Sequence, residues 1–191
     1  MNIFFGFAPY IAFFLFMQVV SIDAGLWAAL TVAVLNAGRD WVHSGSLKVL
    51  ELGTVFLFAA LASLTSVEHW EWTVMGVRLA VDAGLLAIVL ISLAIGRPFT
   101  LQYARKRVPE RYRQAPLFLT INRQITWAWA GAFAALVAAH AAVVFVPTVP
   151  WWLDIAATIF ALAAAVRFTA SYPEHARKKA ETAADSKHRV V

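Results

Sequence analysis

The Lys and Arg residues of this chain are confined almost wholly to alternate gaps between long apolar stretches. Arg39 and Lys48 bracket one gap. Arg97, Arg105, Lys106, Arg107, Arg111, Arg113 and Arg123 crowd a second. Arg167, Arg177, Lys178, Lys179, Lys187 and Arg189 lie in or beside the tail. Of the 16 cations only Arg78 falls elsewhere. Positive loops stay on the cytoplasmic side as a polytopic protein inserts, so this pattern predicts a chain threaded back and forth across a membrane in one orientation. Composition agrees: 61% of residues are hydrophobic and 14% charged, with a mean hydropathy of +0.70. A soluble domain carries about 25% charged residues.

Six apolar stretches can be drawn, over 3–20, 22–37, 47–64, 74–95, 125–146 and 151–168. They predict an all-α polytopic bundle of about six transmembrane helices within 1–172. The second stretch is short for the ~20 residues a crossing needs, so it would extend through Arg39 by snorkelling. The first is expected to be an uncleaved span rather than a signal peptide, because it has no basic n-region and apolar sequence resumes at once. Six crossings put both termini in the cytoplasm with all three basic regions. The opposite side then carries Asp23, Glu68, His69, Glu71 and Asp154 but no Lys or Arg, with Trp70, Trp72, Trp151 and Trp152 at the aromatic-belt level. Residues 173–191 alternate charge with Ala, Ser and Thr and are expected to be a disordered cytoplasmic tail.

Ionisable residues inside spans draw the functional suspicion. Arg78 and Asp82 lie four apart on the fourth stretch and are expected to pair on one face. A rise of 1.5 Å per residue puts Asp82 about 12 Å in from Val74 and His140 about 9 Å in from Val146. The three can therefore meet, either as a proton- or ligand-handling cluster or as an ion pair tethering two spans. At the cytoplasmic ends, Lys48 and Glu51, with Asn36, Arg39, Asn122 and Arg123, form a second candidate: an inner polar pocket, or simply interfacial residues pairing with one another. Asn122 and Gln124 are placed to satisfy free amides at the start of the fifth span. Trp127 and Trp129, two apart, look like interface packing.

Between the fourth and fifth spans, Pro98 suits a first helical position, Leu101, Ala104, Arg105 and Val108 share a face, and Pro109 ends the pattern. This predicts a short interfacial helix on anionic inner-leaflet lipid, or a protein-docking loop. Gly131, Ala134, Ala135 and Ala138 are small enough for close helix approach, in the bundle or in a homo-oligomer. The net charge of +5 is spread over loops rather than one module, which argues against nucleic acid. No P-loop, HExxH, GxSxG or GxGxxG occurs, the five histidines are scattered, and cysteine is absent. No catalytic residue, metal site or cofactor is expected.

Phe7-x-Pro9-x-x-x-Phe13-Phe14-x-Phe16, then Ile22-x-Ala24 and Ala28-Ala29, resembles the intracellular septation protein A family. Trp72-Thr73-Val74, Gly84-Leu85-Leu86, Arg97-Pro98-Phe99, Ile121-Asn122 with Trp127-Ala128, Val146-Pro147 and Tyr172-Pro173-Glu174 follow in the family's order. The Ala-rich last two spans and the arginine-rich loop depart from it. The resemblance implies a small multi-spanning protein of the bacterial inner membrane, a non-enzymatic organiser in envelope maintenance or division, with other membrane proteins as partners. The alternative from the residues is a small transporter or channel using Arg78, Asp82 and His140.

Overall fold

The structure is a computed structural model and describes residues 4–45, 47–67, 71–105, 108–146 and 148–188. Among these the chain is all-α. The helices are α1 (Phe4–Val19), α2 (Ile22–Ser44), α3 (Val49–Val67), α4 (Val74–Ala94), α5 (Phe99–Ala104), α6 (Pro116–Phe145) and α7 (Trp151–His188), with a 3-10 turn at Glu110–Tyr112. Four helices, Val49–Val67, Val74–Ala94, Pro116–Phe145 and Trp152–Lys179, are long and apolar enough to cross a membrane. Large apolar side chains point outward along the bundle, Phe56 and Phe160 each 78% exposed. Such a coat fits a lipid environment and not water.

Local chemistry sets the boundaries. Ser21 caps α2 by accepting from Ala24 N at 3.1 Å, and Gly45, at φ 59°, ends it with its N–H on the Trp41 carbonyl. Thr73 caps α4 through Gly76 N at 3.0 Å. The other end of α4 is a Schellman motif: Gly96 N bonds Leu93 O and Arg97 N bonds Ser92 O, both at 3.0 Å. It needs a left-handed residue, and Gly96 has φ 67°. Pro98 follows and turns the chain into α5.

Contacts at both ends fix alternating helix directions. At the basic end, Gly6 of α1 lies against the Tyr103 hydroxyl, Val49 N at the start of α3 donates to Gln102 Oε1 at 2.8 Å, and the Thr100 hydroxyl donates to Asn122 O at 2.8 Å. At the opposite, acidic end, Trp27 of α2 donates to Ser66 of α3 at 3.3 Å. The α1/α2 and α6/α7 hairpins flank the α3/α4 pair. Phe13, Phe58, Phe99 and Phe133 are fully buried, and Phe7 stacks on Trp129 with ring centroids 5.3 Å apart.

Several expectations are corrected. The short helix after α4 does not lie on a surface: Phe99, Thr100, Leu101 and Tyr103 are buried, so α5 plugs the basic end of the bundle. It stops at Ala104, leaving Arg105 as its cap and Val108 beyond it. Helix α6 begins at Pro116 rather than Ile125, with proline at its first position. Helix α7 runs through Pro173 to His188 instead of giving way to a disordered tail; the Ala, Glu, Lys and Arg beyond Pro173 are good helix formers. Tyr172 and Ala176 also pack on the core. Trp129 is buried and bonds Thr169 at 3.0 Å, whereas Trp127 is exposed. Gly131, Ala134, Ala135 and Ala138 are exposed, and among the described residues nothing lies within 4 Å of where a Gly131 side chain would begin. The close approaches are at Gly53 against Ile88 and Gly84 against Leu57.

Candidate functional site

Two clusters of buried ionisable side chains lie at opposite ends of the bundle. The first joins three helices at the acidic end. His140 of α6 sits between Asp82 of α4 and Asp154 of α7, each at most 4% exposed. Its Nδ1 is 2.8 Å from Asp82 Oδ2, and its Nε2 is 3.2 Å from Asp154 Oδ2. Nδ1 also faces the Leu136 carbonyl at 3.2 Å, and Asp82 Oδ2 makes no aligned hydrogen bond, so Asp82 meets the ring as an ion-pair contact. A neutral imidazole bears one N–H. With a carboxylate against each ring nitrogen, the geometry calls for a second proton, on the ring or on one carboxylate.

Asp82 and His140 are thus brought together, but Arg78 is not. Its guanidinium carbon lies 5.6 Å from the Phe14 ring centroid, and its buried Nε has no hydrogen-bond partner. No ion pair joins it to Asp82 among the described residues. Four-residue spacing on a helix permits that pair without requiring it; here His140 occupies Asp82 instead. Asp154 takes the place foreseen for Arg78. A carboxylate in the first turn of a helix has a local reason to be there, the helix dipole, which masks its tertiary role.

The second cluster lies at the basic end. The Lys48 ammonium is ion-paired with Asp40 of α2 and Glu51 of α3, and all three are buried. Lys48 Nζ also lies 4.6 Å from the Tyr103 ring centroid, and the Tyr103 hydroxyl donates to Glu51 Oε1 at 3.5 Å. Burial, and then the Glu51 charge, push the Tyr103 phenol above its ordinary range, so it stays protonated as a donor. The Lys48–Glu51 pair foreseen at the interface is therefore an interior feature. Asp40 was missed because, next to Arg39, it looks like one half of a solvated pair.

The other residues expected in an inner pocket separate. Arg39 is exposed and Asn36 half-buried. Asn122 is buried in the seam between α5 and α6: its Nδ2 donates to Phe118 O at 2.8 Å, and its carbonyl accepts from Thr100 and Thr126. Because α6 starts so early, Asn122 is a turn inside the helix and does not serve its free amides. Exposed Arg123 lines a cavity of about 350 Å³ with Leu93, Gly96 and Leu119. Arg97, Arg105 and Arg113 line another, of about 540 Å³. Arg111 is exposed, 4.7 Å from the Tyr112 ring. Lys106 and Arg107, like Glu68, His69 and Trp70, lie outside the described residues.

These two cavities, and a third of about 280 Å³ between α5, α6 and α7, lie at the basic end, and none is lined by Arg78, Asp82 or His140. Among the described residues no group of three or more His, Asp or Glu is arranged to hold a metal ion. Comparison with protein families, with curated protein sequences and with solved structures returns no match. The likeness to the septation family therefore stands on its residue pattern alone.

Proposed function

We propose that this chain is a non-enzymatic organiser of the bacterial inner membrane, similar in role to the septation proteins it resembles. In this reading six helices cross the bilayer, both termini are cytoplasmic, and α5 plugs the bundle at the cytoplasmic boundary. The observation that carries it is the closure of both ionic clusters. His140 is held between Asp82 and Asp154, Lys48 between Asp40 and Glu51, and a packed aromatic core separates them. Charges so enclosed act as clamps between helices, and the open, cationic surface is left at the basic end for partners. Chain direction and the K/R asymmetry support the orientation.

The absence of cysteine makes topology directly testable. Ser66→Cys should react with an impermeant maleimide on intact spheroplasts, and Arg105→Cys only after permeabilisation. The reverse pattern would overturn the orientation. For the role itself, in-cell cross-linking from Arg105→Cys should capture inner-membrane proteins of envelope synthesis or division. Depletion should alter cell length or detergent sensitivity. Normal morphology on depletion together with no captured partner would reject the organiser reading.

A second reading, proton-coupled transport, is favoured by one observation: an imidazole facing two carboxylates inside an apolar bundle is suited to hold and release a proton. Proton flux in proteoliposomes that is lost in Asp82→Asn would decide for it.

A further inference from the structure

The largest of the three cavities at the basic end has the chemistry of an anion site. It is a cleft of about 540 Å³ between the α4–α5 turn, the start of α3 and the arginine-rich loop. Arg97, Arg105 and Arg113 line it, with Gln102 and Lys48, and no carboxylate belongs to its wall among the described residues. Arg97 and Arg105 are exposed and make no ion pair among the described residues. Arg113 is the more ordered of the three: its Nε donates to Val108 O at 3.0 Å, and it meets Glu110 at 3.3 Å. Glu110 is 88% exposed, so that pair is weak and can yield the Arg113 terminal nitrogen to a stronger anion while Nε stays on Val108 O. The Lys48 ammonium is turned away to Asp40 and Glu51, which keeps those carboxylates neutralised behind the floor.

A second cavity adjoins this one. The space of about 350 Å³ shares Gly96 and Leu101 with the cleft and is walled by Leu93, Pro98 and Leu119, with Thr120 and Arg123 on its α6 side. The two together present guanidinium groups beside the leucine side chains of α4, α5 and α6. Guanidinium forks match phosphate oxygens. Basic pockets between helices on the cytoplasmic side suit phospholipid headgroups.

We infer that this double cavity is a specific binding site for one anionic phospholipid, with its phosphate on Arg97, Arg105 and Arg113 and an acyl chain along Leu93 and Leu119. The inference rests on the membrane orientation proposed above and names the ligand class of the basic end. Glycine at position 96 leaves the passage between the two cavities without a side chain. Leu101, buried on α5, forms the wall they share.

The test uses the full chain purified in a mild detergent and read by native mass spectrometry. Probes are phosphatidylglycerol, phosphatidylcholine and inorganic phosphate. The expected result is one retained phosphatidylglycerol, not displaced by millimolar phosphate, and no retained phosphatidylcholine. Arg97→Gln combined with Arg105→Gln should lower its affinity about 30-fold, since each cation near an anionic surface contributes a factor of about five. Both side chains are exposed, so the bundle should stay folded. Lys178→Gln combined with Lys179→Gln removes the same charge from exposed positions outside the cleft and should leave retention unchanged.

Equal losses in the two double variants would overturn the site in favour of diffuse attraction. Equal retention of phosphatidylcholine, or displacement by phosphate alone, would overturn it as an anionic-lipid site. The readout needs neither a partner nor a cell phenotype, so its failure is distinct from failure of the organiser reading.

Discussion

His140 Nε2 lies 3.2 Å from Asp154 Oδ2, and this contact fastens the start of α7 to the bundle. The outer faces of α7 are otherwise largely exposed, as at Ile159 and Phe160. The same ring meets Asp82, so one side chain joins α4, α6 and α7.

His140→Leu should therefore be costly. It leaves Asp82 and Asp154 buried without their partner, and breaking a buried ionic group in this way costs about 3–5 kcal/mol. Thermal unfolding in detergent should show a clear drop. Replacing His140, Asp82 and Asp154 together by leucine should restore most of the loss, because an apolar substitute of similar volume carries no stranded charge. A folded triple variant that still supports the cell would mark the cluster as a clamp. One that folds but fails would favour proton handling.

Lys48→Met is expected to destabilise by a similar ~3–5 kcal/mol, since Asp40 and Glu51 would face each other's surroundings unneutralised. Chemical denaturation of the purified variant measures it, and an unchanged midpoint would show that the pair is solvated.

The alkaline limb of stability should report Tyr103. Its folded-state pKa lies above the ordinary 10.0, through burial first and Glu51 second. The contribution is then fully present below pH 10 and declines as pH rises beyond it, because the unfolded phenol ionises there while the folded one holds its proton. Tyr103→Phe should flatten this decline, measured as unfolding midpoint between pH 9 and 11. The hydrogen bond lost at 3.5 Å is long, so the effect at neutral pH should be at most ~1 kcal/mol.

Glycines in α4 and α6 should respond in opposite ways. A methyl at Gly84 would stand 2.3 Å from Leu57 Cδ1, so Gly84→Ala displaces the Leu57 side chain from the α3–α4 contact and should cost ~1–3 kcal/mol. Nothing lies within 4 Å of the same position at Gly131. Gly131→Ala should be neutral or stabilising by up to ~1 kcal/mol through helix propensity. Parallel thermal unfolding of the two variants checks the contrast.

Docking of α5 should depend on the Thr100 hydroxyl, which donates to Asn122 O at 2.8 Å and lies 2.6 Å from the Thr126 hydroxyl. Thr100→Val removes both of these bonds from the α5–α6 seam while Thr126 still donates to Asn122 O at 2.9 Å, so the cost should be ~0.5–1.5 kcal/mol. Limited proteolysis should cut faster around Arg111 in this variant if the plug loosens.

How far the chain could be read in advance varied with the range of the forces involved. Apolar runs located most helix starts within a few residues, but α2 and α7 run on to Ser44 and His188, and α6 starts early because Pro116 and the residues after it are compatible with helix despite their polarity. The depth of Asp82 and His140 followed from rise per residue, and they do meet. Their third partner did not follow, because Arg78 and Asp154 are both plausible by depth and only packing chooses between them. The four small residues of α6 looked like an interhelical seam, yet small size says nothing about which face turns inward.

Local chemistry, then, was determined by sequence alone: hydrophobic run length, caps at Ser21 and Thr73, the glycine turn at Gly96, and the sorting of cations to alternate gaps. These depend on residues a few positions apart or on the cost of moving charge into an apolar medium. Tertiary structure alone decided that α5 is buried, that Lys48 sits between Asp40 and Glu51, and that His140 takes Asp154 as well as Asp82. Each of those contacts joins different helices, and a buried ion pair is set by which faces meet, a relation that no periodicity within one helix encodes.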